Sequence, residues 1–176
     1  MMITPTLQTK RLILRPFIKD DAQEVFNSWE SDPDVAKYMF WTSHSDISKT
    51  IEWLASEIEK INSDDWYRWA FVLKESGKLL GTGLLYFDDE YKKFEIGYNL
   101  GKHAWGYGYA TEAMMEVIRF AKDELGIKEI IGRHAKENPA SEKVIKKLGF
   151  QYVKDIPYEC NAGTKIYEGK EYVLKL

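Results

Sequence analysis

The chain opens on a short alternating run, Arg11-Leu12-Ile13-Leu14-Arg15, which reads as a strand closed by Pro16. Asp20 or Asp21 then caps a helix whose apolar face is Ala22, Val25, Phe26 and Trp29, and Ser31-Asp32-Pro33-Asp34 ends it. An aromatic stretch, Tyr38-Met39-Phe40-Trp41, precedes a second helix begun by Ser45 or Asp46, with Ile47, Ile51, Leu54, Ala55, Ile58 and Ile61 at helical spacing. Three tightly joined strands follow, over 66–74, 79–87 and 94–100, the first two linked by the hairpin turn Glu75-Ser76-Gly77-Lys78. A third helix covers 110–125, with Ala110, Ala113, Met114, Val117, Ile118 and Ala121 inward and Gly126 as its stop. Glu129-Ile130-Ile131-Gly132 is a short strand, Asn138 or Pro139 opens a fourth helix through Lys147, and strands near 151–157 and 170–176 complete the pattern. The order β-α-α-β-β-β-α-β-α-β-β contains one strand-helix-strand crossover, between 94 and 135, whose two strands should be parallel.

No linker, repeat or low-complexity tract divides the chain, so residues 1–176 read as a single α/β domain. Hydrophobic residues make up 44% and charged residues 30%, which indicates a folded core rather than disorder. The net charge of -3 argues against a nucleic-acid partner, which would ask for a basic face. A lone cysteine, Cys160, allows no internal disulfide. No apolar run approaches the ~20 residues needed to cross a bilayer, and the N-terminal residues lack a signal peptide's apolar stretch. The expectation is a cytoplasmic protein without a membrane partner.

Gly106 and Gly108 sit between a strand and a helix. Glycine there admits positive φ and close approach of a ligand, and the helix start adds unpaired N–H groups and partial positive charge. That combination suits a pyrophosphate, although a plain glycine turn would look the same. A P-loop motif is absent, and a dinucleotide fingerprint would need glycine where Thr111 stands.

The segment Trp105-Gly106-Tyr107-Gly108-Tyr109-Ala110 resembles the [RQ]-x-x-G-x-[GA] signature of the GNAT superfamily of N-acetyltransferases, differing at its first position. The segments 9–15, 95–100, 110–113, 138–141 and 147–150 are similar, in order, to the branch of the RimJ/RimL ribosomal-protein N-terminal acetyltransferases. The resemblance implies an α/β fold with a mixed, mostly antiparallel seven-stranded sheet, flanked by four helices and splayed between its fourth and fifth strands. It implies acetyl-CoA as co-substrate and no metal. Tyr98, Asn99 and Leu100 would line the pantetheine arm, with Gly97 marking a β-bulge. Residues Trp105, Gly106, Tyr107, Gly108, Tyr109, Ala110 and Thr111 would form the pyrophosphate turn, and Asn138 would reach the cofactor from the far side.

For the leaving thiolate, many members of the family use a tyrosine four residues before the glycine of the Gly-Phe pair. Here that position is Ile145. In the RimJ/RimL-like branch a serine at the place of Ser141 is proposed to donate the proton, which makes Ser141 the candidate acid, although a first-turn helix hydroxyl that merely bonds backbone reads the same way. Glu95 is the candidate base, on the same strand face as Gly97 and Asn99, and a solvated strand carboxylate is its bland alternative. The amide of Tyr98 or Asn99 would stabilise the oxyanion. The acceptor wall would hold Tyr38, Phe40, Trp41 and Tyr86, with Trp66 and Trp69 as further candidates. Trp29 reads as core. His44, His103 and His134 read as structural or solvent-facing, and Cys160 as no nucleophile.

The resemblance implies an amine acceptor, either a peptide or protein N-terminus or a small amine such as a polyamine, amino acid or aminoglycoside. An α-amine costs roughly 3–4 kcal/mol less to deprotonate than a lysine side chain near neutrality, which favours the N-terminus where no strong base is evident. A coenzyme-A-binding sensor without turnover is the reading from another class. The strand-rich C-terminus could pair with a second subunit as a homodimer.

Overall fold

The computed structural model describes residues 2–176. An eight-stranded mixed sheet runs in the order β1-β2-β3-β4-β5-β6-β8-β7. Its strands are β1 (Leu7–Gln8), β2 (Leu12–Arg15), β3 (Trp66–Leu73), β4 (Leu79–Asp88), β5 (Lys93–Leu100), β6 (Glu129–Ala135), β7 (Gln151–Cys160) and β8 (Lys165–Lys175). All neighbouring pairs are antiparallel except β5 and β6, which are parallel as the crossover requires. The strand beyond the expected seven is β1, which pairs Leu7 with Leu14.

Helices α4 (Tyr109–Asp123) and α5 (Pro139–Lys147) cover one face, where Leu12, Leu14, Tyr67, Trp69, Phe71, Met114, Val117 and Phe120 form the larger core cluster. The other face is covered by α1 (Ala22–Val25), α2 (Pro33–Ala36) and α3 (Ile47–Glu59), through Phe17, Val25, Trp29, Val35 and Leu54. The first helix is shorter than the pattern suggests and passes into a π-turn over Phe26–Glu30. The helical run ends at Glu30, as the 31–34 segment leads one to expect, and Asp32 then caps α2, accepting from the Asp34 amide at 2.9 Å.

The inward face of α3 also differs from its apolar stripe. Thr50, Leu54 and Glu57 are buried, whereas Ile51 is 52% exposed. The polar residues take inward positions because each has a partner: Thr50 Oγ1 lies 2.7 Å from His44 Nδ1, and Glu57 accepts from Trp66 Nε1 at 2.8 Å and pairs with Arg68 at 2.9 Å.

The splay between β5 and β6 is present. Their ladder consists of Phe94↔Ile130 and Glu95↔Ile131, after which β6 follows β8 through seven paired positions, from Glu129↔Lys175 to Ala135↔Gly169. Gly97 carries no bulge: the β4–β5 register is unbroken from Gly81↔Leu100 to Asp88↔Lys93. A Cβ at Gly97 would meet only Leu84 Cβ, at 4.0 Å. The glycine therefore leaves open space beside the V, and the divergence comes from β6 turning to β8.

Candidate active site

The glycine turn has the geometry an anion site needs. Gly106 and Gly108 have φ of 84° and 79°, and α4 begins at Tyr109 with no side-chain cap. Its first-turn N–H groups therefore lack intrahelical acceptors. A Cβ at Gly106 would touch no protein atom within 4 Å. Ala110 is buried against the core, Thr111 is half-buried, and Trp105 turns its Nε1–H to the Leu100 carbonyl at 2.9 Å.

Two residues outside the motif support this turn. Glu112 accepts from Thr9 Oγ1, the Arg11 amide and Arg11 Nε at 2.7, 2.8 and 2.7 Å. Partial burial works against its charge, but those bonds win and hold its pKa below the ordinary carboxylate value. So anchored, Arg11 donates to the Tyr107 carbonyl at 3.0 Å and lies 4.4 Å over the Tyr109 ring, which puts a cation beside Gly108. A sequence separation of about a hundred residues hides the pairing, and locally a first-turn carboxylate is accounted for by the helix dipole alone.

A cavity of about 140 Å³ continues from the V toward α1 and α3. At its V end stand Tyr98, Asn99, Asn138, Ser141 and Ile145. Ser141 lies in the first turn of α5, and its amide donates to Oδ1 of the cap residue Asn138 at 3.2 Å. The Tyr98 hydroxyl arrives from β5, 2.9 Å from Ser141 Oγ and 3.2 Å from the Ser141 carbonyl oxygen. Burial raises the Tyr98 pKa, so the phenol stays protonated. Ile145 is buried against β6, where a Cβ on Gly132 would sit 2.7 Å from Ile145 Cδ1. Among the described residues Asn99 Nδ2 is buried without a hydrogen-bond partner, and such an orphan donor asks for a ligand oxygen.

Glu95 is buried in the cavity wall, on the face it shares with Gly97 and Asn99. Its Oε1 accepts from Arg133 Nε at 2.9 Å, and its Oε2 accepts from Tyr86 Oη at 2.8 Å and from Arg133 Nη2. Burial raises the Glu95 pKa, with Arg133 and Tyr86 pulling the other way. Arg133 also reaches Asp88 at 3.0 Å and lies 4.3 Å over the Tyr91 ring.

The far end of the cavity is lined by Tyr38, Phe40, Trp41 and Tyr86, together with Glu30, His44, Trp53 and Arg68. The β7–β8 turn clamps this wall. Its Asn161 and Ala162 amides donate to Met39 and Phe40 carbonyls at 2.8 and 2.6 Å, while Asn161 Nδ2 reaches the Ala36 and Trp41 carbonyls at 2.9 and 3.1 Å. Tyr38 meets Tyr167 edge-on at 5.3 Å. Of the further aromatic candidates, Trp69 is buried on the opposite face, edge-on to Phe120 at 5.7 Å, because its place in β3 points it toward α4. Trp66 lies behind Tyr86 at 5.4 Å rather than in the wall. Trp29 is core.

Two histidines stand in the wall, which sequence reasoning did not anticipate. His134 is tied to the Ala135 carbonyl at 2.7 Å and stacks on Tyr172 at 5.3 Å. His44 faces Glu30, with Nε2 3.5 Å from Oε2. His103 stays outside, 3.2 Å from the Leu79 carbonyl. Cys160 is buried, and burial pushes its thiol up to about 11, leaving little thiolate near neutrality.

Residues 11–151 match the family model described as "Acetyltransferase (GNAT) domain". The chain belongs to the GNAT acetyltransferase family. It is 34% identical to the Bacillus licheniformis protein named "Uncharacterized N-acetyltransferase p20" over 83% of this chain and 82% of that one. Its fold matches the crystal structure of a GNAT-family acetyltransferase from Bacillus anthracis with a TM-score of 0.83 and 21% identity, over 97% of this chain and 98% of that one. It also matches RimL, a ribosomal L7/L12 α-N-protein acetyltransferase solved with coenzyme A, with a TM-score of 0.83 and 14% identity, over 99% and 98% of the two chains. The protein is an N-acetyltransferase that uses acetyl-CoA. The open V, the uncapped helix start and the unpartnered Asn99 amide all fit coenzyme A. Among the described residues no helix is long and apolar enough to cross a membrane.

Proposed function

We propose that this GNAT enzyme acetylates the α-amine of a peptide or protein N-terminus, in the manner of the RimJ/RimL branch. The observation that carries the reading is that one cavity joins the Ser141–Tyr98 hydroxyl pair to the aromatic wall at Tyr38, Phe40, Trp41 and Tyr86. The amine nitrogen attacks the thioester carbonyl carbon, the C–S bond breaks, and the departing sulfur takes a proton from Ser141 Oγ. Tyr98 Oη supports that serine from behind. The developing oxyanion is held by a β5 amide, with the free Asn99 Nδ2 as a further donor.

Coenzyme A is held in this reading by the turn from Trp105 to Thr111, with Arg11 facing the pyrophosphate and Tyr98, Asn99, Leu100 and Asn138 along the pantetheine arm. Glu95 was the base expected from sequence. With three donors on its two oxygens it is better suited to anchoring Arg133 and Tyr86 in the wall, because taking a proton would break a buried ion pair.

The enclosed cavity also fits a small amine, which is the second reading. A sensor without turnover is disfavoured by the Ser141–Tyr98 pair, which supplies hydroxyls where Ile145 has none. The exposed residues 151–155 of edge strand β7 support pairing with a second copy. Thiol release from acetyl-CoA, measured with N-terminal peptides and with small amines, tests the proposal. Turnover with peptides supports it, turnover with small amines alone transfers the function to the second reading, and tight acetyl-CoA binding without acceptor-dependent release supports the sensor.

A further inference from the structure

Glu30 is the second carboxylate in the cavity wall, and its surroundings differ from those of Glu95. It ends the π-turn over Phe26–Glu30, an insertion that occurs frequently at functional sites. The side chain is 3% exposed. Oε1 accepts from Trp29 Nε1 at 3.1 Å, and Oε2 faces His44 Nε2 across 3.5 Å, too far for a good hydrogen bond. An ionised carboxylate has about four acceptor sites, so Glu30 keeps acceptor capacity that Glu95 has largely committed.

The loop carrying His44 is fastened to this site. The His44 amide donates to the Glu30 carbonyl at 2.6 Å, and His44 Nδ1 lies 2.7 Å from the buried Thr50 hydroxyl of α3. His44 Nε2 points at Glu30 across the same gap, and burial lowers the His44 pKa, assisted by Lys49 and opposed by Asp46, which favours the neutral ring. Trp41 lies 6.3 Å from His44, and Trp53 completes the aromatic surround.

We propose that Glu30 takes the proton from the acceptor's ammonium group, with the Trp29 indole N–H holding its carboxylate in place. The proposal rests on the acetyl-transfer reading above. The ammonium N–H bond breaks and the Glu30 O–H bond forms, which yields a neutral amine and a neutral carboxyl group. The amine then attacks the thioester; its second proton leaves after C–N bond formation and replaces the one that Ser141 gives to sulfur.

The electrostatic setting matches the task. Burial raises the Glu30 pKa to about 7, with Arg68 of β3 and the Trp29 hydrogen bond opposing and Glu57 of α3 adding to the rise. An α-ammonium group, with a pKa of about 7.7–8.0, is well matched to such a base, and a lysine ammonium near 10.4 is poorly matched. Glu30 thereby selects for N-terminal amines over lysine side chains.

The test compares wild type with Glu30→Gln across the neutral pH range, using an N-terminal peptide and a weakly basic amine that is already uncharged at neutral pH. In wild type, kcat for the peptide should fall on the acid side of about 7. In Glu30→Gln the limb should move up to the peptide's own α-amine pKa, about 7.7–8.0, because only amine that binds already neutral can react, with kcat near neutrality about a hundredfold lower, acetyl-CoA KM unchanged, and the deficit closing for the weakly basic amine. An unchanged acid limb, or an equal loss for both amines at every pH, overturns the proposal. Wild-type protein that releases thiol with neither amine overturns the acetyl-transfer reading itself.

Discussion

The Tyr98 hydroxyl lies 2.9 Å from Ser141 Oγ, linking β5 to the first turn of α5 across the V. The phenol also donates to the Ser141 carbonyl at 3.2 Å, so its hydroxyl is fixed against both the Oγ and the backbone of Ser141 beside the cavity. Ser141→Ala should lower kcat about a hundredfold. Tyr98→Phe, which loses both hydroxyl contacts to Ser141, should lower it about tenfold, with acetyl-CoA KM little changed in both. Because Tyr98 acts through Ser141, Tyr98→Phe should cause no further loss in a Ser141→Ala background. Additive losses in steady-state kinetics of the double variant contradict this arrangement.

The pyrophosphate turn predicts a separation of binding from stability. An alanine at Gly106 keeps a backbone with φ of 84° and, beyond its chain neighbours, meets no described residue within 4 Å, so its folding cost is the left-handed conformation alone, about 1–2 kcal/mol. The acetyl-CoA KM should rise severalfold while the acceptor KM holds. Thermal melting and steady-state kinetics read the two effects, and an unchanged acetyl-CoA KM removes Gly106 from the cofactor site.

The clamp from the β7–β8 turn predicts the converse pattern. Asn161→Ala removes two side-chain hydrogen bonds to the Ala36 and Trp41 carbonyls. The wall containing Tyr38, Phe40 and Trp41 should loosen, raising the acceptor KM and leaving the acetyl-CoA KM unchanged. A change confined to acetyl-CoA would place that wall outside the acceptor site.

What was legible in sequence was local. Gly106 and Gly108 interrupt a strand-to-helix boundary, and Asn138 to Ser141 forms a helix cap with a hydroxyl in its first turn. Both signals lie within a few residues, as do Tyr38, Phe40 and Trp41; Tyr86 joins them from β4. The pairs that complete the site join distant segments: Tyr98 with Ser141, Arg11 with Glu112, Asn161 with the 36–41 stretch. The α3 face was misread because apolar spacing gives no weight to Thr50 and Glu57, which are buried through partners on other elements. Glu30 was hidden by its place at a helix end, where a carboxylate is usually solvated. A sequence cue for the clamp does exist in Asn161 and Gly163, residue types that tolerate positive φ; they flank Ala162, and all three residues adopt it.

Glu30 also carries a signature in stability. Its folded pKa of about 7 lies above the ordinary 4.5, so its contribution is fully present below about 4.5 and is lost as pH rises through about 7. Wild type should therefore lose about 3 kcal/mol of unfolding free energy relative to Glu30→Gln across that window. Denaturant unfolding of both proteins as a function of pH measures the difference. A difference independent of pH would mean that Glu30 titrates as an ordinary carboxylate.

The most direct test of acetyl transfer to an α-amine uses matched peptides. One has a free N-terminus and no lysine, and the other has a blocked N-terminus and one lysine. Thiol release from acetyl-CoA, with mass spectrometry of the products, should show one acetyl group added to the first peptide and little turnover with the second. Acetylation of the lysine peptide alone would contradict the account.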